Sequence, residues 1–285
     1  MMRQIAVISL GAVLLVLGAS CAEDLLGPND ATDIFGRLVL SSSEDGTDGI
    51  FNVGVGIFFD QPATSPQGFG RDYGQSPKLA QQPTLSPPFP NPGTNPIENP
   101  IRIRVVVPEA TPGSVEIWSF SLAVNRPVAT LDDDGFEVGE NIFTWNGREN
   151  SFGDHLPNGL YTARVTFGSG ESASVVEENI LINRPVTDAI ALGIFDDFSD
   201  VNGAFSLLDV PVGETYTATN GSGAVQGVRT IGGQIRIYTC DIDFQHKETV
   251  VQLNPKERLD VEIRLIPRAQ LRLETLVSGL LIPRL

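Results

Sequence analysis

The chain has 285 residues, with 29 glycines, 20 prolines and a formal charge of −16. No long helical pattern runs through it, which points to an all-β protein of one or two domains. The acidic balance argues against nucleic-acid binding, which needs a basic footprint, and suits an exported protein kept soluble by its surface.

Residues 1–20 carry Arg3, an apolar run from Ile5 to Leu17, and then Gly18-Ala19-Ser20. A charged start, a hydrophobic stretch and a small-residue cleavage site make a signal peptide. The run is short of the roughly 20 apolar residues that a spanning helix needs. Cys21 follows directly, and Leu17-Gly18-Ala19-Ser20-Cys21 resembles a bacterial lipobox. That resemblance implies acylation of Cys21, which becomes the mature N-terminus; the competing reading is an ordinary signal peptide with a chance cysteine. Acyl chains contribute about 0.8 kcal/mol per buried CH₂, so a lipidated Cys21 ties the protein to a membrane. By similarity to enterobacterial sorting, Ala22 in place of Asp implies the outer membrane. With Cys21 lipidated, only Cys240 remains and no intrachain disulfide is possible.

Residues 21–33 read as a polar tether. Ile34–Leu40 and Val53–Phe59 read as two strands. Ten of the 20 prolines lie in residues 61–100, and Gln, Ser and Gly fill much of the stretch up to Ser86, so 61–86 reads as a linker.

The stretch 87–183 is the most sharply patterned. Ile101, Ile103 and Val105 alternate with Arg102 and Arg104, the period of a half-buried strand. Val115 and Ile117 alternate less cleanly with Glu116 and Trp118. Tyr161, Ala163, Val165 and Phe167 share one face of another strand. Asn146-Gly147 and Asn158-Gly159 predict turns, since both residue types tolerate positive φ. Trp145, next to the first turn, is sized to plug the end of a small sandwich. Pro90-Asn91-Pro92, Trp145-Asn146-Gly147-Arg148 and Pro157-Asn158-Gly159-Leu160-Tyr161 together resemble the FlgD-type immunoglobulin-like module. The resemblance implies an Ig-like β-sandwich over 87–183.

Past Asn183, Ala191–Phe195 reads as a strand. Asp200-Val201-Asn202-Gly203 reads as a turn feeding Ala204–Leu207, followed by Val210-Pro211-Val212-Gly213 and Tyr216. Ile235–Cys240 reads as a strand, and Leu259, Val261, Ile263 and Leu265 alternate in a last one. These blocks resemble the carboxypeptidase regulatory-like, transthyretin-like β-sandwich. That family opens with two strands that this segment lacks, and 34–60 supplies two strands with no sandwich of their own. The expected architecture is therefore two β-sandwich modules, the Ig-like one inserted into a discontinuous transthyretin-like one built from 34–60 and 190–268. A tandem arrangement with independent N-terminal hairpins is the alternative. Residues 269–285 read as a tail.

Chemistry is sparse. A zinc site needs three or four ligands, and only His155 and His246, in unrelated segments, and one spare cysteine, Cys240, are at hand. No Gly-x-Ser-x-Gly elbow is present. His155 reads as solvated and Cys240 as an inert strand thiol. No catalytic residue, metal or cofactor is implied. Asp132, Asp133, Asp134 and Glu137 form the densest acidic loop, read as a solvated turn and, failing that, as the best place for a metal. Trp118 reads as core, with a sugar platform as the competing role. The expectation is a non-catalytic, lipid-anchored cell-envelope protein whose β-sandwich modules serve structural or protein-interaction roles. Its partners would be the membrane, through the N-terminal lipid, and envelope proteins or glycans. A carbohydrate- or peptide-binding accessory lipoprotein is the alternative.

Overall fold

The computed structural model describes residues 32–43, 46–60, 82–121, 126–150 and 152–268. The leader, Cys21, the stretch 61–81 and the tail 269–285 lie outside the described residues. The protein is all-β. In chain order the strands are β1 (Asp33–Leu40), β2 (Gly54–Phe59), β3 (Thr84–Leu85), β4 (Ile101–Val107), β5 (Gly113–Ser119), β6 (Pro127–Asp132), β7 (Gly139–Trp145), β8 (Gly159–Phe167) and β9 (Ser174–Ile182). A short helix, α1 (Val186–Ala191), precedes β10 (Asp197–Phe198), β11 (Ala204–Leu207), β12 (Thr215–Thr219), β13 (Val225–Thr230), β14 (Gln234–Cys240), β15 (Lys247–Gln252) and β16 (Arg258–Leu265).

In the central region, residues 82–183, a sheet ordered β3-β4-β7 faces one ordered β6-β5-β8-β9. Alternation drives the arrangement. Ile101, Ile103 and Val105 of β4, Val115 and Ile117 of β5, and Tyr161, Ala163, Val165 and Phe167 of β8 all turn into one core. Trp145 is 1% exposed and meets Tyr161 edge-on, with ring centroids 5.2 Å apart. Its Nε1–H donates to the Arg148 carbonyl at 3.0 Å, closing the turn in which Gly147 adopts a φ of +72°. A bulky ring and a left-handed glycine thus fix one end of the region.

The flanking region joins distant parts of the chain. β1 lies between β11, antiparallel, and β16, parallel, so Ile34 stands opposite both Leu207 and Leu259. β2 lies between β10 and β14, with Ile57 opposite Ile237. The strands before residue 60 therefore find their partners beyond residue 190, as two strands alone are marginal in water. Their apolar faces build a second core that includes Ile34, Leu38, Ile57, Phe205, Ile237 and Ile263. Two strand glycines make room for rings on neighbouring strands: a Cβ on Gly36 would stand 2.0 Å from Phe205, and one on Gly56 2.3 Å from Tyr238.

Three local expectations are corrected. Ala191–Phe195 is no strand. α1 ends at Ala191 with Leu192 as its cap; Gly193 then takes a φ of +66°, a left-handed stop, and Ile194 folds back to donate its N–H to the Ala189 carbonyl at 2.9 Å. Ala189 and Ile194 then pack on Tyr238 together, which a two-residue alternation does not achieve. The stretch expected as linker contributes strand β3, paired with Val105 and Val106 of β4. Asn158-Gly159 makes no left-handed turn: neither residue has positive φ, and Gly159 already opens β8.

Candidate functional site: the boundary between the two regions

β8 and β9 serve both cores. Tyr161, Ile180 and Ile182 face the central one, whereas Leu160 and Leu181 enter the flanking one, with Phe120 packed beside them. Period-two alternation sends successive residues to opposite faces.

Three buried asparagines close the seam. Asn91 is fully buried; its Nδ2 donates to the carbonyls of Asn179 (2.8 Å) and Thr217 (2.9 Å), and its Oδ1 accepts from Leu181 N–H (3.0 Å). Its backbone also exchanges hydrogen bonds with Thr219. Asn158 donates to the carbonyls of Ile57 (2.9 Å) and Arg184 (3.1 Å) and accepts from Arg184 N–H (2.7 Å). Asn183 accepts from Phe59 N–H (3.0 Å) and donates to the Phe59 carbonyl (2.8 Å). An amide carries a donor and an acceptor like a peptide unit, so each asparagine stands in for missing strand partners. Arg184, 1% exposed, ties in the neighbouring loop by donating Nη1 to the Leu156 carbonyl and Nη2 to that of Gly147. Its Nε has no hydrogen-bond partner among the described residues, and burial lowers its pKa.

Beyond Asn158 the boundary opens into a cleft of about 400 Å³. Ser119–Ser121 and Leu156–Tyr161 line one side; Asp196, Asp197 and Ser206–Pro211 line the other. Its charged side chains are Asp196, Asp197 and Asp209, and no Lys, Arg or His lines it among the described residues. The Asp196 carboxylate accepts one hydrogen bond there, Oδ2 from Ile57 N–H at 2.9 Å. Burial pushes Asp196 up to about 7; the Ile57 N–H opposes the shift and the neighbouring Asp197 carboxylate adds to it. The Tyr161 and Tyr238 hydroxyls are pushed up by burial and, next, by Asp196. Asp197 is occupied by Ser206 N–H (2.7 Å) and Phe198 N–H (2.8 Å), and Asp209 accepts from the Ser121 hydroxyl (2.8 Å).

The residues singled out in the sequence lie elsewhere. In the acidic loop, Asp132 accepts from Gly135 N–H (3.2 Å), Asn141 holds the Glu137 backbone, and Asp133 and Asp134 are exposed. No group of three His, Cys, Asp or Glu is placed to hold a metal among the described residues. Trp118 is not core: it lies half-buried on the outer face of its sheet, its Nε1–H donating to Glu116 (3.0 Å) and its ring 4.4 Å from the Arg164 guanidinium carbon. His155 is not freely solvated. Its Nδ1 is buried without a hydrogen-bond partner among the described residues, and burial, then Arg148 and Arg184, lower its pKa. His246 contacts the Thr239 carbonyl and Glu248, and burial raises the Cys240 thiol. Cys21 lies outside the described residues.

Sequence reasoning passed over Asp196. Its signal was the run Phe195-Asp196-Asp197-Phe198, two adjacent acids flanked by aromatics. Comparison with protein-family models, with curated proteins and with solved structures finds no match for the chain.

Proposed function

We propose that this is a non-catalytic, lipid-anchored protein of the bacterial cell envelope whose two β-sandwich modules form a rigid interaction scaffold. In this reading 34–60 and 190–268 make a transthyretin-like module and 87–183 an Ig-like insertion in it. The observation that carries it is the asparagine seam, which joins Asn91, Asn158 and Asn183 to backbone of the flanking region. Buried, satisfied polar contacts of this kind favour one relative orientation over a swinging pair. A scaffold of fixed shape suits presentation of a surface at the end of a lipid tether. The leader pattern through Cys21 supports the anchor.

Fractionation of cells expressing the wild type and Cys21→Ser tests the anchor. The wild type should sediment with membranes and carry acyl mass, and the serine variant should move to the soluble fraction. A wild type without acyl mass, together with a variant that stays on membranes, overturns it. Affinity capture from native membranes tests the interaction role; recovery of no envelope partner counts against it. The cleft, with Phe120 and Asp196 on its walls, favours a second reading as a ligand-binding accessory protein.

A further inference from the structure

We infer that Asn220 is a site of spontaneous covalent modification, where the side-chain amide is lost as ammonia and the residue becomes aspartate or isoaspartate. The only co-reactant is water, and the inference stands independently of the scaffold reading.

Four asparagines precede a glycine: Asn146, Asn158, Asn202 and Asn220. Such a pair is poised for ring closure, because glycine has no Cβ to keep its backbone nitrogen away from the asparagine side chain. Closure also needs a free glycine N–H and room for the main chain to turn toward that side chain. The fold withholds these from three of the four. Asn158 is buried, and both atoms of its amide are engaged by backbone of Ile57 and Arg184. Gly147, after Asn146, is buried, and a Cβ there would stand 2.6 Å from Arg184 and 2.9 Å from Pro96. Gly203, after Asn202, is buried too, and its N–H is held by the Asp200 carbonyl at 2.9 Å.

Asn220 has everything the others lack. Asn220, Gly221 and Ser222 are all exposed, on the turn from β12 to β13. The Gly221 N–H has no hydrogen-bond partner among the described residues, and a Cβ on Gly221 would meet nothing within 4 Å. The Asn220 Oδ1 accepts from Ser222 N–H (3.0 Å), Ala224 N–H (2.9 Å) and the Ser222 hydroxyl (2.7 Å). Three donors on one carbonyl draw electrons from Cγ and stabilise the charge that develops on Oδ1 during attack. In the reaction a base takes the Gly221 amide proton, and the nitrogen bonds to Cγ. The Cγ–Nδ2 bond breaks and ammonia leaves, giving a succinimide. Water then adds to either ring carbonyl and opens the ring to aspartate or isoaspartate. Either product adds a negative charge. Isoaspartate also routes the main chain through the former side chain, in a turn held by Gly223 N–H donating to the Asn220 carbonyl at 3.0 Å. Thr219, the preceding residue, pairs with Asn91, so the change falls beside the seam.

The test ages the purified full chain in mildly alkaline buffer, once folded and once unfolded in urea, and follows each asparagine by peptide mass mapping. In the folded chain Asn220 should convert while Asn146, Asn158 and Asn202 stay intact; in urea all four should convert. Isoaspartate at position 220, read by enzymatic methyl transfer, should accompany the mass change, and the rate should rise with pH because the attacking nitrogen must lose its proton. Gly221→Ala places its methyl group in open space at a position outside the left-handed region, so the fold is kept, and it should slow conversion about tenfold or more. An Asn220 that stays intact in the folded chain while the unfolded chain converts overturns the inference. So does conversion of another of the four as fast as Asn220 in the folded chain, a rate independent of pH, or a Gly221→Ala variant that converts at the wild-type rate.

Discussion

The closed seam and the open cleft are two stretches of one boundary, and they differ in how their polar groups are satisfied. Along the seam, Asn91, Asn158 and Asn183 match buried backbone donors and acceptors almost completely. In the cleft, Asp196 is held by one N–H and keeps a raised pKa. Neutral amides can be buried without net cost when paired, whereas a carboxylate in the same setting stays partly unsatisfied. The seam therefore closes its polar groups, whereas the cleft leaves a half-buried carboxylate with a single N–H donor.

Removing the support common to both stretches should have the largest effect. Trp145 packs on Tyr161, which lines the cleft, and closes the turn whose Gly147 carbonyl receives Arg184. Trp145→Ala should destabilise by about 3–5 kcal/mol in urea unfolding, and a loss below about 1 kcal/mol would contradict the burial of the ring.

Asn158→Ala breaks the seam alone. It strips partners from the Ile57 carbonyl and from both backbone groups of Arg184, at a cost of about 3 kcal/mol. Proteolysis of the folded variant should find new cleavage near residues 57–60 or 183–186. An unchanged unfolding midpoint and digestion pattern would show that the seam is dispensable.

Asp196→Asn acts on the cleft alone, and its effect depends on pH. The folded carboxyl holds its proton more tightly than the unfolded one. Its contribution is therefore fully present below the ordinary carboxylate range and is lost as pH rises through about 7. The variant should match the wild type near pH 4 and exceed it by about 2 kcal/mol at pH 8, a value discounted for partial exposure. A pH-independent difference would remove Asp196 as the source of the strain.

Much of the central region is legible from local pattern. The alternation of Ile101, Ile103 and Val105, the Trp145 plug and the left-handed Gly147 all follow from residue type and spacing. Asn158 shows the limit. Asn-Gly has the same local preference wherever it occurs, but here the side chain pairs with the Ile57 carbonyl, 101 residues away in sequence. Trp118 shows it again, since an aromatic on a strand does not itself say which face meets solvent.

By itself, the sequence determined the all-β class, because period-two patterning and Gly- and Pro-rich breaks leave no amphipathic helix to compete. It also placed two strands before Asp60 that had no sandwich of their own. Tertiary structure alone decided that β1 runs parallel to β16 and that Leu160 and Leu181 belong to the flanking core. It also decided that Asp196 lines a cleft, half-buried, beside Ile57. Those outcomes depend on contacts between residues more than a hundred positions apart, and no local preference encodes such distances.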